Sequence, residues 1–356
     1  MAMGLIKRDE VKPHEDYGFF GPDSVTWKVW TYPTSLTIGF QRAVVVEELD
    51  PALIAAVDAT GDVYSRPRTR YDRTLRYFAL ISLGDSRSAI KASDVLVKVH
   101  AKAVGTEPLS GNRYDANDPK SQLWIHLTAW HSILYAYERY GPGRLSEAEE
   151  ARYWEECAIA AELQTCDPDD VPRSRDGIRE YFAYMRPRLA GSEAAQKMMD
   201  HLLNAEVMMP PMPPALRPVN WGVNKALRAA TVATMPQWMR KLGGLRQPRV
   251  VDVLIRPVMW TAFRVARLSP RLQVAALRLL SPSTVSVAAP VLLGVPPERP
   301  ETVTPAQARS RHGVLPPIQE YARFRALVDA RRGQGDPEAE VGPERADSVA
   351  ALGPVA

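Results

Sequence analysis

The sequence predicts an all-α, multi-helix globular fold. Three observations carry this: apolar residues recur at helical spacing through most of the chain, Pro and Gly fall at the ends of those segments, and strand-like alternation is sparse. A chain of 356 residues, 46% hydrophobic and 24% charged, can bury a sizeable core in one large or two modest domains. No internal repeat of fixed period is visible.

Residues 17–35, rich in Gly, Pro and aromatics, read as an irregular lead-in. Residues 35–60 suggest one or two short helices, with Asp50 capping the second and Pro51 opening it. The spacing then predicts a helix over residues 70–83, ended by Gly84. Arg70, Arg73, Thr74 and Tyr77 fall on one face of it, and Phe78 and Ile81 continue that face. Polar groups therefore occupy a core-facing stripe. A second helix, residues 88–104 closed by Gly105, puts Leu96, Val97, His100 and Val104 on one face and Lys91, Lys98 and Lys102 on the other. His100 is thereby directed inward among aliphatic neighbours.

Residues 105–117 read as a loop, and Asp118-Pro119 opens a helix over residues 121–140. Its run WIHLTAWHSILYAY is apolar nearly all round, which makes it central to a core. Ser146 with Glu149 forms a capping box for a helix over 147–163, and further helices are expected over 175–190 and 193–206. The run MMPPMPP, residues 208–214, reads as a hinge. Beyond it, residues 219–280 suggest three short helices split at Pro236, Pro248, Pro257 and Pro270. The expected organisation is a helical core (1–207) holding the candidate site, the hinge (208–214), a basic helical half packed on the core (215–332) and a disordered acidic tail (333–356).

Net charge is +4, but it is uneven. Between Val207 and Pro297 the only acid is Asp252, against twelve basic residues. Such a block is a candidate surface for anionic lipid or nucleic acid, or a solvated face of a helix pair. Arg240, Lys241, Arg246 and Arg249 flank Trp238 and Leu245, an interfacial mixture. No stretch of 18 clean apolar residues and no apolar leader is present, and the two cysteines, Cys157 and Cys166, form no ligand pair. A cytoplasmic protein, peripheral to the inner membrane face, is the expectation.

Glycine-rich nucleotide loops, the G-x-S-x-G elbow and H-E-x-x-H are absent. None of the six histidines has Glu three residues before it, which excludes the di-iron carboxylate bundle. What remains is inward His100 beside an inward Arg/Arg/Thr stripe. A haem suits both, being a flat apolar disc that needs an imidazole on iron and cations for its propionates. A buried arginine is costly unless paired, and propionates would pair it. A core histidine satisfied by a local hydrogen bond, with the arginines bonded to helix acids, is the alternative. His126, on the apolar helix, reads as a second haem contact, a substrate contact or a structural hydrogen-bonder.

An ordered set of motifs resembles one family. The set is GFFGPDSVTWKVWTYP from Gly18, R-x-x-R-T at Arg70, Arg73 and Thr74, V-x-V-H-A-x-A-V-G around His100, Y-D-A-N-D-P from Tyr114, W-I-H-L-T from Trp124 and L-S-x-A-E-E-x-R-Y-W-x-E from Leu145. Together they resemble the MpaB oxygenase family, related to the latex clearing proteins and common in actinomycetes. The resemblance covers about residues 17–290. It implies a haem b protein with a globin-like helical core, a proximal histidine matching His100, and an Arg, distal Lys and Thr matching Arg70, Arg73 and Thr74. The chain departs from the pattern at Arg73, because arginine, with a pKa above about 12, does not ligate iron as a deprotonated lysine can. The resemblance also implies a carboxylate base, for which Glu47, Glu48, Asp58 and Asp62 are candidates.

The expectation is a haem-dependent oxygenase, with His100 as iron ligand, Arg73 and Thr74 on the oxygen side, Arg70 toward a propionate, and His126 a further cofactor contact. Expected partners are a hydrophobic isoprenoid or lipid-like substrate, dioxygen or peroxide, and an anionic membrane surface, with no nucleic acid. A non-catalytic haem carrier or sensor and a haem-free interaction protein are the rival classes.

Overall fold

The structure, a computed structural model, describes residues 6–205, 209 and 213–333. Among the described residues the chain forms seventeen α-helices and a single two-stranded sheet, so the fold is all-α as expected. Helix α1 (Val25–Trp30) lies inside the stretch 17–35 read as an irregular lead-in, its start capped by the Ser24 side chain. A π-turn (Ser35–Gly39) runs into α2 (Phe40–Val46), and a 3-10 turn (Glu47–Leu49) leads to α3 (Pro51–Thr60). Asp50 caps α3, its carboxylate accepting from the N–H groups of Ala52 and Leu53. After short α4 (Asp62–Ser65) come α5 (Pro67–Leu83) and α6 (Ser86–His100), then β1 (Val104–Thr106) and β2 (Arg113–Asp115). The N-terminal part closes with α7 (Pro119–Tyr140), α8 (Glu147–Ala161), α9 (Arg175–Met185) and α10 (Glu193–Leu203).

Helix α7 is the central rod. Leu123, Trp124, Leu127, Trp130, Ile133, Leu134 and Tyr137 are all buried on it, as its all-round apolar sequence demands. It packs on α2, on α8 and on the π-turn. That turn comes so close that a Cβ on Gly39 would lie 3.0 Å from the Ile133 Cα, which explains glycine there. The remaining helices are α11 (Arg217–Ala233), α12 (Gln237–Leu242), α13 (Arg249–Arg267), α14 (Pro270–Leu280), α15 (Val285–Leu292), α16 (Pro305–His312) and α17 (Pro317–Gly333). Here α11 packs on α2, α13 on α7, α15 on α5, and both α16 and α17 on α6.

Besides α1, the structure departs from the sequence reading in five places. The stretch 219–280, read as three short helices, is spanned by four, α11 to α14. Helix α6 ends at His100 rather than running on to Val104, so His100 is its last residue and Val104 belongs to β1. The segment read as a loop contains a hairpin, Val104 opposite Asp115 and Gly105 opposite Tyr114. Strands of three residues are too short to display alternation. Glycine is needed in β1 because a Cβ there would meet the Tyr114 hydroxyl at 2.6 Å. Pro257 does not split a helix but sits inside α13. Both it and Val253, whose carbonyl it leaves without an N–H, lie on the exposed side where water can bond. Finally, the interfacial mixture expected around α12 is divided, with Lys241, Arg246 and Arg249 exposed and its other members turned inward. Arg240 is buried and paired with Asp252 at 2.8 Å, Leu245 is buried, and Trp238 lies under the Arg186 guanidinium. Most of the expected hinge and the acidic tail beyond Gly333 lie outside the described residues.

Candidate functional site

Helices α3, α5 and α6, the hairpin and the first turns of α7 enclose a cavity of about 410 Å³. Arg70, Arg73, Thr74 and His100, named from sequence alone, all line it. The i, i+3, i+4 spacing on α5 directs the two arginines and the threonine into one wall. The end of α6 puts His100 in another. Most of the remaining lining is aliphatic or aromatic, including Leu53, Val57, Tyr71, Leu96, Val99 and Ile125.

The cavity also holds carboxylates named as base candidates from the family resemblance. Glu47 and Glu48, from the 3-10 turn before α3, both line it. Burial pushes the Glu47 carboxyl up to about 8, with the Arg70 charge pulling the other way. Burial, then the neighbouring Glu47 charge, raises Glu48 well above the usual carboxylate range. One oxygen of each, Oε2, has no hydrogen-bond partner among the described residues, nor has the buried Nε of Arg76 on the same wall. Among the described residues, Arg70, Arg73 and Arg76 form no ion pair. Three arginines without ion pairs and two carboxyls of raised pKa thus face one largely apolar void.

His100 is neutral: burial lowers its pKa to about 4, and the Arg70 charge adds to the shift. Its Nδ1 lies 3.2 Å from Nε2 of Gln122, which also donates to the Ala116 carbonyl at 2.6 Å. Gln122 is therefore the group that orients the ring. With the amide nitrogen toward His100, Nδ1 accepts and the ring proton sits on Nε2. Turning the amide over would set its oxygen against the Ala116 carbonyl oxygen, so the observed bonding keeps Nδ1 as the acceptor. Thr74 donates its hydroxyl to the Arg70 carbonyl at 2.9 Å, so it offers the cavity lone pairs rather than a proton. Arg73 retains guanidinium donors.

His126 does not line the cavity. Its Nε2 donates to the Cys157 carbonyl at 2.8 Å in the core, where burial lowers its pKa to about 4. Of the four carboxylate candidates, Glu47, Glu48 and Asp62 line the cavity and Asp58 does not. The family resemblance brought the acidic pair forward only as two of four candidates, with no motif to choose among them. Gln122 carried no signal, being one polar residue at the start of an apolar helix.

The family model for the catalytic domain described as "ER-bound oxygenase mpaB/B'/Rubber oxygenase" matches residues 27–268. The chain belongs to this family. No curated protein and no solved structure matches it. Every residue lining the cavity falls inside the matched stretch of this oxygenase-family member, as do α11, α12 and α13, whereas α16 and α17 fall outside it. Among the described residues no cluster of three or more His, Cys, Asp or Glu side chains could hold a free metal ion, and no helix is long and apolar enough to cross a membrane.

Proposed function

We propose that this oxygenase-family protein binds haem b in the cavity through His100 and oxidises a hydrophobic, isoprenoid or lipid-like substrate there. The observation that carries this reading is a neutral imidazole on the same apolar cavity as three arginines without ion pairs. The residues present fit the group. A porphyrin supplies four nitrogens and asks one imidazole of the protein, its propionates suit the unpaired guanidiniums of Arg70 and Arg76, and its apolar faces suit Leu96, Val99 and Ile125. Ligation through Nε2 would require the ring proton to move to Nδ1 and Gln122 to release the Ala116 carbonyl so that its amide oxygen could accept from Nδ1–H.

When bound, haem b supplies the iron that activates dioxygen or peroxide. Arg73 holds N–H donors toward the same space, where developing negative charge would be stabilised. Arginine at this position would orient a bound oxidant by hydrogen bonding rather than ligate a metal, because its guanidinium stays protonated. Glu47, with a pKa near neutrality, can take up or release a proton at Oε2, the oxygen that nothing else engages. Leu53, Val57 and Leu202 exclude water and offer apolar contact to the substrate. The two buried free thiols, Cys157 and Cys166, suit a reducing cytoplasm.

The test is an absorption spectrum of protein purified from haem-replete cells, oxidised and then reduced under CO. His100→Ala should lose the haem, and Arg73→Ala should keep it while losing oxygen-dependent turnover. A colourless wild type, or a His100→Ala variant with full haem content, refutes the assignment. A six-coordinate spectrum indifferent to oxygen would point to a carrier instead.

A further inference from the structure

Most large apolar side chains that stand exposed among the described residues fall between Leu216 and Leu272, on α11, α13 and the start of α14. Helix α13 explains the clustering. Its inward face carries Ile255, Met259 and Phe263 against the core. Its outward face, where a surface helix should be polar, carries Val250, Val253, Leu254, Val258 and Val265, followed by Leu268. Val253 is 68% exposed and Leu268 83%. Alongside, α11 packs on α13 and exposes Val219, Trp221 and Val223. A contiguous apolar strip of this kind marks a contact surface rather than scattered exposure.

The strip is bordered by one sign of charge. Arg249, Arg256, Arg264, Arg267 and Lys225 are exposed, and among the described residues none of them forms an ion pair. The Arg264 guanidinium lies 4.6 Å from the Trp260 ring centre and the Lys225 ammonium 5.9 Å from that of Trp221. Two part-exposed tryptophans thus sit beside cations. Asp252, the sole acid of the stretch, is turned inward to Arg240. Arg256 also lines a second cavity of about 360 Å³ with Arg139 and Arg144, neither ion-paired among the described residues, which extends the positive field.

We propose that the α11/α13 face docks on an anionic phospholipid bilayer, lying in its plane with the apolar strip at the acyl boundary and the arginines at the phosphates. An apolar stripe flanked by long cationic side chains suits that boundary, because the stems bury while the heads reach phosphate. A second copy of the chain suits it poorly, since a two-fold contact would set this cationic rim against itself. Nucleic acid leaves the apolar strip unused.

The experiment is co-sedimentation of the full chain with vesicles of phosphatidylcholine alone or mixed with phosphatidylglycerol, at low and high salt. Binding is expected to the mixed vesicles at low salt and to fall at high salt. The exposed-site variant Val253→Asp/Leu254→Asp, and separately Arg249→Glu/Arg264→Glu, should each weaken it about tenfold or more while the circular dichroism spectrum stays that of wild type. Equal binding to neutral vesicles at both salts, or no binding to either, overturns the proposal. So does wild-type self-association in solution that Val253→Asp/Leu254→Asp abolishes, because the strip would then be an interface between copies.

Discussion

Glu47 and Glu48 adjoin one another on a turn facing the cavity, and both hold their protons far above the usual carboxylate range because water is excluded there. An acid whose folded pKa exceeds its unfolded value binds more protons folded, so its contribution to stability is lost as pH rises. For Glu47 that loss runs from about 4.5 to about 8. The buried histidines His100 and His126 act in the opposite sense, their pKa values falling from 6.5 to about 4, so stability rises with pH across that interval. Above pH 6.5 the carboxyls act alone. The haem-free protein should therefore lose stability between pH 6.5 and 8, and Glu47→Gln should remove roughly half of that decline, each proton giving up to about 1.4 kcal/mol per pH unit. Urea midpoints taken through this range check it, and an unchanged slope in the variant would mean that Glu47 is already ionised. Arg70, Arg73, Thr74 and His100 were legible in the sequence because helical spacing alone says which side chains share a face. Glu47 and Glu48 entered only as two of four carboxylates that the family resemblance left open, and Gln122 not at all, because their meaning depends on what lies opposite.

Helix α6 presents His100 from its last turn, so its orientation depends on how its first turn is held. Buried Asp16, in the lead-in, does this: one carboxylate oxygen accepts from the N–H groups of Gly18 and Ser86, each at 2.8 Å, and the other from the Ser86 hydroxyl. Asp16→Ala should cost about 3 kcal/mol, since hydrogen bonds to a charged acceptor are lost and two buried N–H groups are orphaned. The thermal midpoint reads this out, and a loss within experimental error would mean that α6 is anchored elsewhere. Helix starts were well marked in the sequence. Asp50, Asp118 and the Ser146/Glu149 box all cap as read, because a cap is a local bond within four residues. Among the ends, α5 stops before Gly84 and α7 at Tyr140 as read, but the exceptions were not marked. The stop of α6 at His100, the hairpin that follows and the tolerated Pro257 each depend on distant contacts or on exposure.

Over the whole molecule, the C-terminal helices return to the site. Both α16 and α17 pack on α6, and Tyr321 of α17 bonds to Asp115 of the hairpin beside the cavity. A ligand held between α5 and α6 would therefore stabilise the assembled chain rather than one segment. Haem-loaded protein should unfold at higher urea than haem-free protein, by about 2.7 kcal/mol at a hundredfold excess of haem over its Kd. Coincident midpoints would mean that no ligand is bound specifically to the folded state. The sequence by itself determined the all-α class, the central place of α7, the caps and the inward histidine beside inward arginines, because helical periodicity and capping are short-range and each residue's face follows from its neighbours. Only the tertiary structure decided that these groups share one cavity with Glu47, Glu48 and Gln122, that His126 is spent on the Cys157 carbonyl, and that the exposed apolar strip lies on α13 rather than around α12. Those are relations between segments remote along the chain, fixed by packing and the exclusion of water, and no local pattern encodes them.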